Sequence, residues 1–313
     1  MTKLGLGGAP LGGLFESVRE AEAQGTLKAA YAAGIRYFDT APFYGHGRGE
    51  MRMGAFLRER PRDEFVLSTK VGRVLVPAAA AVEDRHYKDL LPLIPFFDFS
   101  ADGIRRSFVS SLERLGLDRV DILLVHDPDE HYRMVLDEAF PALARLRDEG
   151  AIRAIGAGMN QWEMLSDFAR NADFDCFLLA GRYTLLHQSA LAELLPSCEE
   201  RGIAILLGGP YNSGVLAAGS RGEGHYNYER PAPAILEKVR RLEEVAARHG
   251  VPLKAAALQF PLAHPAVATV IPGARTAAEV EENVRMFFHP IPSPFWNELR
   301  DERLLPEEAP VPE

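Results

Sequence analysis

The sequence predicts a closed (β/α)8 barrel of the TIM type, with long loops at its C-terminal mouth. Three observations support this. Eight short strand-like runs alternate with helix-like segments from end to end, the rhythm of a parallel sheet with crossover helices. The runs are near-continuously apolar rather than alternating, as strands buried on both faces are. Eight units in 313 residues match the length of a single barrel.

The elements follow in order. The first strand, Leu4–Gly7, runs into Gly-Gly-Ala-Pro, which cannot open a helix as the GxGxxG turn of an open dinucleotide-binding sheet does. A helix over Ser17–Ala33 precedes the strand Arg36–Asp39, and a helix over Gly49–Arg58 precedes the strand Phe65–Lys70. Val74–Ser100 is a long connection rich in proline and aromatics (Tyr87, Phe96, Phe97, Phe99). Then come helix Asp102–Leu115, strand Val120–Val125, helix Leu136–Glu149, strand Ile152–Ala157, helix Gln161–Asn171, strand Phe174–Ala180, helix Ala190–Glu200 and strand Ile203–Leu207. A second long connection, Gly208–Pro233, carries Tyr211, Tyr226 and Tyr228; helices Ile235–His249 and Leu253–Leu262, strand Ala268–Ile271 and helix Ala277–Met286 complete the series. Gly34, Gly116, Gly150, Gly202 and Gly250 each follow a helical pattern, where a left-handed cap residue is wanted. Both long connections leave C-terminal strand ends, where barrel active sites lie, and their aromatic content predicts folded covers. The Pro/Glu-rich tail, Leu305–Glu313, is expected to fray. No internal repeat or second domain is visible, so residues 1–313 read as one domain.

Composition narrows the function. A formal net charge of −9 disfavours nucleic acid, which draws most of its affinity from Lys/Arg–phosphate contacts. Two cysteines, Cys176 and Cys198, exclude a disulfide framework and a Cys-rich zinc site and fit a reducing compartment. No secretory signal and no apolar run of about 18–20 residues is visible, so the protein reads as cytoplasmic, with no membrane partner. No HExxH or comparable spacing suggests a metal, and no GxSxG suggests an acyl-transfer nucleophile.

The strand ends carry the chemistry. Strand two closes on Asp39, with Tyr44 five residues later; strand three closes on Lys70, one of only six lysines; strand four leads to His126 and strand five to Asn160. Singly these are commonplace: a turn aspartate, a snorkelling lysine, a structural histidine, a packing tyrosine. Together, neighbouring strands of a barrel bring an acid, a phenol, an amine and an imidazole to one mouth. A phenol is a poor proton carrier at neutral pH, and a nearby ammonium lowers its pKa. A carboxylate holds that ammonium, and an imidazole orients a carbonyl or hydroxyl oxygen. Such a set suits proton transfer at an oxygen while its carbon reacts.

At these residues the sequence resembles the aldo-keto reductases. The resemblance lies in GIRYFDTAPFYGHGRGE (Gly34–Glu50), VLSTK (Val66–Lys70), SLERLGLDRVDILLVHDPD (Ser111–Asp129), LRDEGAIRAIGAGMN (Leu146–Asn160) and VIPGARTAAEVEENV (Val270–Val284), in the family's order across nearly the whole chain. It implies a nicotinamide cofactor extended across the mouth and a catalytic tetrad of Asp39, Tyr44, Lys70 and His126. Cofactor contacts are implied at Asn160, Gly208, Pro210, Gly273, Arg275, Glu279, Glu282 and Asn283. Phe96–His131 and Gly156–Glu163 resemble the branch of L-fucose/D-threo-aldose 1-dehydrogenases and pyridoxal 4-dehydrogenase, which implies oxidation of C1 of an aldose to a lactone. A carbonyl or aldehyde reductase, or a pyridoxal dehydrogenase, would use the same site, and a cofactor-sensing regulatory subunit is the alternative from another class.

The chain departs from the family pattern at three places. Met159 precedes Asn160 where many members have serine, Ala180 stands where glutamine is common, and Gly208 aligns with a tyrosine that often stacks on the nicotinamide. The small-molecule substrate is expected against Phe43, His46, Tyr87 and Phe96, a mixture suited to a sugar ring. NAD is the preferred cofactor, with NADP the alternative. Gly273 and Ala274 stand where NADP users commonly place Lys-Ser, and Glu279 where they place an arginine, while Arg275 could still meet a 2′-phosphate.

Overall fold

The computed structural model describes residues 1–312. The strands are β1 (Leu6–Gly7), β2 (Tyr37–Asp39), β3 (Val66–Val71), β4 (Arg73–Pro77), β5 (Leu93–Phe97), β6 (Ile122–His126), β7 (Ala154–Met159), β8 (Cys176–Ala180), β9 (Ala204–Gly208) and β10 (Val267–Ile271). Eight of them pair in parallel in the order β1-β2-β3-β6-β7-β8-β9-β10. Parallel bridges Leu4–Val270 and Gly7–Gly273 join the first strand to the last and close the barrel, as predicted. The helices pack outside, and the five glycines expected to cap helical segments all have positive φ.

Strand periodicity explains which side chains reach the mouth. Tyr37, Leu124, Leu178 and Leu206 belong to the inner core cluster. Residues two further along a strand point the same way. That places Asp39, His126, Ala180 and Gly208 in the next inward layer, at the C-terminal rim. Lys70 joins them, two residues after Ser68, whose hydroxyl hydrogen-bonds the inner Tyr37 at 2.9 Å. Leu123, Val125, Phe177 and Leu179, from the alternate positions, pack in the larger cluster between strands and helices.

Three features differ from the sequence reading. The connection after β3 contains an antiparallel hairpin, β4–β5, registered from Arg73–Phe97 to Pro77–Leu93. Its prolines at 77, 92 and 95 hide the strand pattern, yet an edge hairpin accommodates them. A helix over Ser293–Asp301 follows the last barrel unit, with Pro294 in its first turn, where a missing N–H costs nothing. The tail expected to fray is packed over its described part: Leu304, Leu305 and Ala309 are buried, and Arg300 Nη2 donates to the Ala309 carbonyl at 2.6 Å. Glu313 lies outside the described residues. No helix of the described chain is long and apolar enough to cross a membrane.

Candidate active site

The ends of β2 and β3 build a sealed ion pair. Lys70, 1% exposed, directs Nζ to Asp39 Oδ1 (3.0 Å), Asp39 Oδ2 (2.8 Å) and the Thr40 carbonyl (2.8 Å). All three ammonium hydrogens thus have acceptors. Ser68 Oγ donates to Asp39 Oδ1 at 2.7 Å, extending the network inward. Gly158 lies beside the lysine: a Cβ there would sit in ordinary contact, 3.5 Å from Lys70 Cε.

Tyr44 and His126 stand above this pair. Lys70 Nζ is 4.6 Å from the centroid of the Tyr44 ring, and the His126 ring meets Tyr44 edge-on at 6.0 Å. Burial first, and then the Asp39 carboxylate, push the Tyr44 phenol well above its usual range. The net shift is therefore upward, set by burial and the carboxylate, while the ammonium itself is bound to Asp39 and Thr40. Burial, with Arg73 and Lys70, holds the His126 imidazole well below its usual value, so it is neutral. Its Nδ1 is buried with no hydrogen-bond partner among the described residues, and its Nε2 lies 3.5 Å from Asp127 Oδ2.

The expected substrate residues separate. Tyr87 stacks on Tyr44 (6.1 Å between centroids, 22°) and meets Phe43 edge-on at 5.4 Å. Phe43 also contacts His126 (6.2 Å). His46 instead anchors the cover: it is 2% exposed and its Nδ1 engages the Leu93 carbonyl of β5 at 2.7 Å. Phe96 is exposed, on the face of β5 opposite Phe97. Phe97 is exposed as well, at 48%, but touches the site through Arg73, whose guanidinium lies 4.8 Å from its ring centroid and 4.2 Å from that of Phe43. Sequence reasoning missed Arg73 and Asp127. Asp127 was visible only as the neighbour of His126; nothing in the periodicity singles out Arg73. The second cover comes from the Gly208–Pro233 loop, where His225 stacks on Phe15 (4.1 Å, 5°) and Tyr228 leans on His86 (5.7 Å).

The residues expected to contact the cofactor lie along the far rim. Gly208 keeps its strand end flat, since a Cβ there would meet Leu178 Cδ2 at 3.1 Å. Asn160 Nδ2 donates to the Ala180 carbonyl (3.1 Å), which fixes its amide at the rim. Gly273 is exposed beside Pro10, and Pro210 is buried at the base of the loop. The helix Ala277–Phe287 opens at Thr276, whose hydroxyl accepts from Glu279 N, and presents an anion-favouring N-terminus. Arg275 is clamped by Glu279 (Nη2–Oε1 2.6 Å; Nε–Oε1 3.1 Å) and pairs with Glu16. Burial raises the Glu279 carboxyl, but bonds from Arg275 outweigh it and hold the group below its usual value. Two of the expected contacts are occupied by neighbours: Glu282 pairs with Lys254 (2.7 Å), and Asn283 Oδ1 accepts from the Tyr211 hydroxyl (2.7 Å).

Comparison with known proteins agrees with this geometry. A model of the aldo/keto reductase family matches residues 3–302. A D-threo-aldose 1-dehydrogenase from a Pseudomonas species is 43% identical, covering 97% of this chain and 94% of that one. A pyridoxal 4-dehydrogenase from Microbacterium luteolum is 41% identical, covering 97% and 95%. An aldo-keto reductase of Bacillus halodurans, solved in its holo form, superposes with a TM-score of 0.74 at 26% identity over 99% of this chain and 94% of that one.

Proposed function

Because the chain belongs to the aldo/keto reductase family of nicotinamide-dependent oxidoreductases, we propose that it oxidises C1 of an aldose to the lactone, with Tyr44 carrying the proton. The observation behind this reading is the Asp39–Lys70 pair, sealed beneath Tyr44 and His126 at a mouth walled by Tyr87 and Phe43. The 43% identity to a D-threo-aldose 1-dehydrogenase supports the substrate class.

A nicotinamide cofactor held by Asn160 and the rim residues of the mouth would supply the hydride acceptor. The chain's own residues do the rest. Tyr44 Oη takes the hydroxyl proton in oxidation and returns it in reduction. The neutral His126 orients the substrate oxygen. Lys70 places a fixed positive charge beside the phenol, and Asp39 keeps that ammonium in position. NAD is preferred over NADP, because a 2′-phosphate reaching for Arg275 would meet the Glu279 and Glu16 carboxylates already on it.

The test is a panel of aldoses, pyridoxal and simple aldehydes, following nicotinamide absorbance, on wild type and Tyr44→Phe. Turnover of L-fucose, D-arabinose or a related aldose, lost about 10²–10⁴-fold in a folded variant that still binds cofactor, supports the reading. Turnover of pyridoxal with no aldose oxidised would move the assignment to the activity named for the 41%-identical relative.

A further inference from the structure

The mouth carries a charged pair that the proton-transfer chemistry does not use. Asp127 follows His126 at the end of β6 with φ +43°, in the left-handed region that aspartate adopts more readily than most residues. Its backbone N–H is pinned to the Gly158 carbonyl at 3.0 Å. Its carboxylate accepts from Arg73 Nη2 at 2.6 Å and lies 3.5 Å from His126 Nε2. The guanidinium is held over the Phe43 ring, while its Nε is buried without a hydrogen-bond partner among the described residues. The Arg73 and Asp127 side chains stay 16% and 29% exposed, unlike the sealed Asp39–Lys70 pair at 4% and 1%.

A pair serving only to pin the hairpin would not need an unsatisfied buried N–H, which natural structures rarely leave. A carboxylate beside a guanidinium presents an acceptor next to a donor. A sugar hydroxyl is both at once. The reacting oxygen lies at Tyr44 and His126, and the carboxylate sits immediately beside His126. A substrate whose reacting oxygen is held there would bring its next oxygen toward Asp127 and Arg73.

We propose that Asp127 and Arg73 bind the hydroxyl on the carbon next to the reacting one, and so select substrates with vicinal oxygens over simple alcohols and aldehydes. This assignment rests on the aldose reading and deepens it. Asp127 and Arg73 act as specificity residues, and the proton still passes through Tyr44.

The experiment compares D-arabinose with 2-deoxy-D-ribose, its counterpart without the C2 hydroxyl, in wild type, Asp127→Asn and Arg73→Gln. A hydrogen bond to a charged group sets the expected wild-type preference for D-arabinose at about 10- to 100-fold in kcat/KM, carried mainly by KM. In Asp127→Asn that ratio should fall to within about 5-fold of unity. A structural role alone would slow both sugars equally and preserve the ratio, which overturns the proposal. Binding of 1,5-anhydro-D-arabinitol, which keeps the C2 hydroxyl but has no reactive C1 oxygen, gives a readout independent of turnover. It should weaken in either variant by calorimetry, and equal affinity in folded variants overturns the assignment. If neither variant folds, a wild-type ratio near one overturns it. If no aldose turns over at all, the aldose reading falls first and this assignment with it, a distinct result.

Discussion

Removing the negative charge beneath Lys70 should destabilise the whole barrel as well as stop turnover. Asp39 and Lys70 are 3% and 1% exposed, and the ammonium contacts both carboxylate oxygens. In Asp39→Asn the amide keeps the shape but leaves a buried cation without its counter-charge. Breaking a buried pair from one side costs about 3–5 kcal/mol. With an unfolding entropy of roughly 2.1 cal/mol/K per residue, a chain this long has a melting entropy near 0.65 kcal/mol/K, so the melting temperature should drop by about 5–8 °C. Lys70→Met should cost a similar amount, because it strands Asp39 instead. The double variant, Asp39→Asn with Lys70→Met, should lose clearly less than the sum, since no uncompensated charge remains. Thermal unfolding by circular dichroism, on protein free of cofactor, measures the cycle. A shift below about 2 °C for Asp39→Asn, or strictly additive losses, would refute the claim that this pair is coupled and buried as described.

The raised Tyr44 phenol makes a directional prediction about pH. Oxidation needs the deprotonated oxygen, so its kcat/KM should climb with pH beyond the ordinary tyrosine value of about 10, while carbonyl reduction keeps its rate up to that range; an oxidative rate already flat at pH 8 would contradict it. Glu279→Gln should raise kcat/KM for NADP+ by about 2- to 5-fold relative to NAD+, by freeing Arg275 from one carboxylate, and an unchanged ratio on one substrate would show that the clamp does not face the 2′ position. Burial holds His126, His187 and His264 below their usual values, so the unfolded chain binds more protons around pH 6.5. Stability should therefore fall as pH drops below about 6.5, and His126→Gln should flatten that slope in melting curves taken between pH 7 and 5.

Much of the molecule is written locally. Runs of apolar residues four to seven long, each closed by a capped helical segment, specify parallel strands and crossovers, and their number closes the barrel. The same period carries Asp39, Lys70 and His126 to one rim, because each stands two residues beyond an inward neighbour. Hence strand order and this cluster were legible without coordinates. The cover was not: whether His46 points into the mouth or props up β5, and whether Phe96 or Phe97 shares a face with Arg73, depends on how the 73–97 hairpin folds back, and prolines obscure its register. The same holds for Arg73 meeting Asp127 across 54 residues, and for Tyr211 engaging Asn283 across 72. The direction of the Tyr44 shift was likewise beyond the sequence. Residue types name the charges, but only three-dimensional packing decides how deeply the phenol is buried and that Lys70 directs all three of its hydrogens to Asp39 and Thr40. Chain periodicity thus determined which groups arrive at the mouth. Tertiary contacts between distant segments decided which of them stay free to meet a ligand, because hydrogen bonds and desolvation depend on distance in space and not on spacing along the chain.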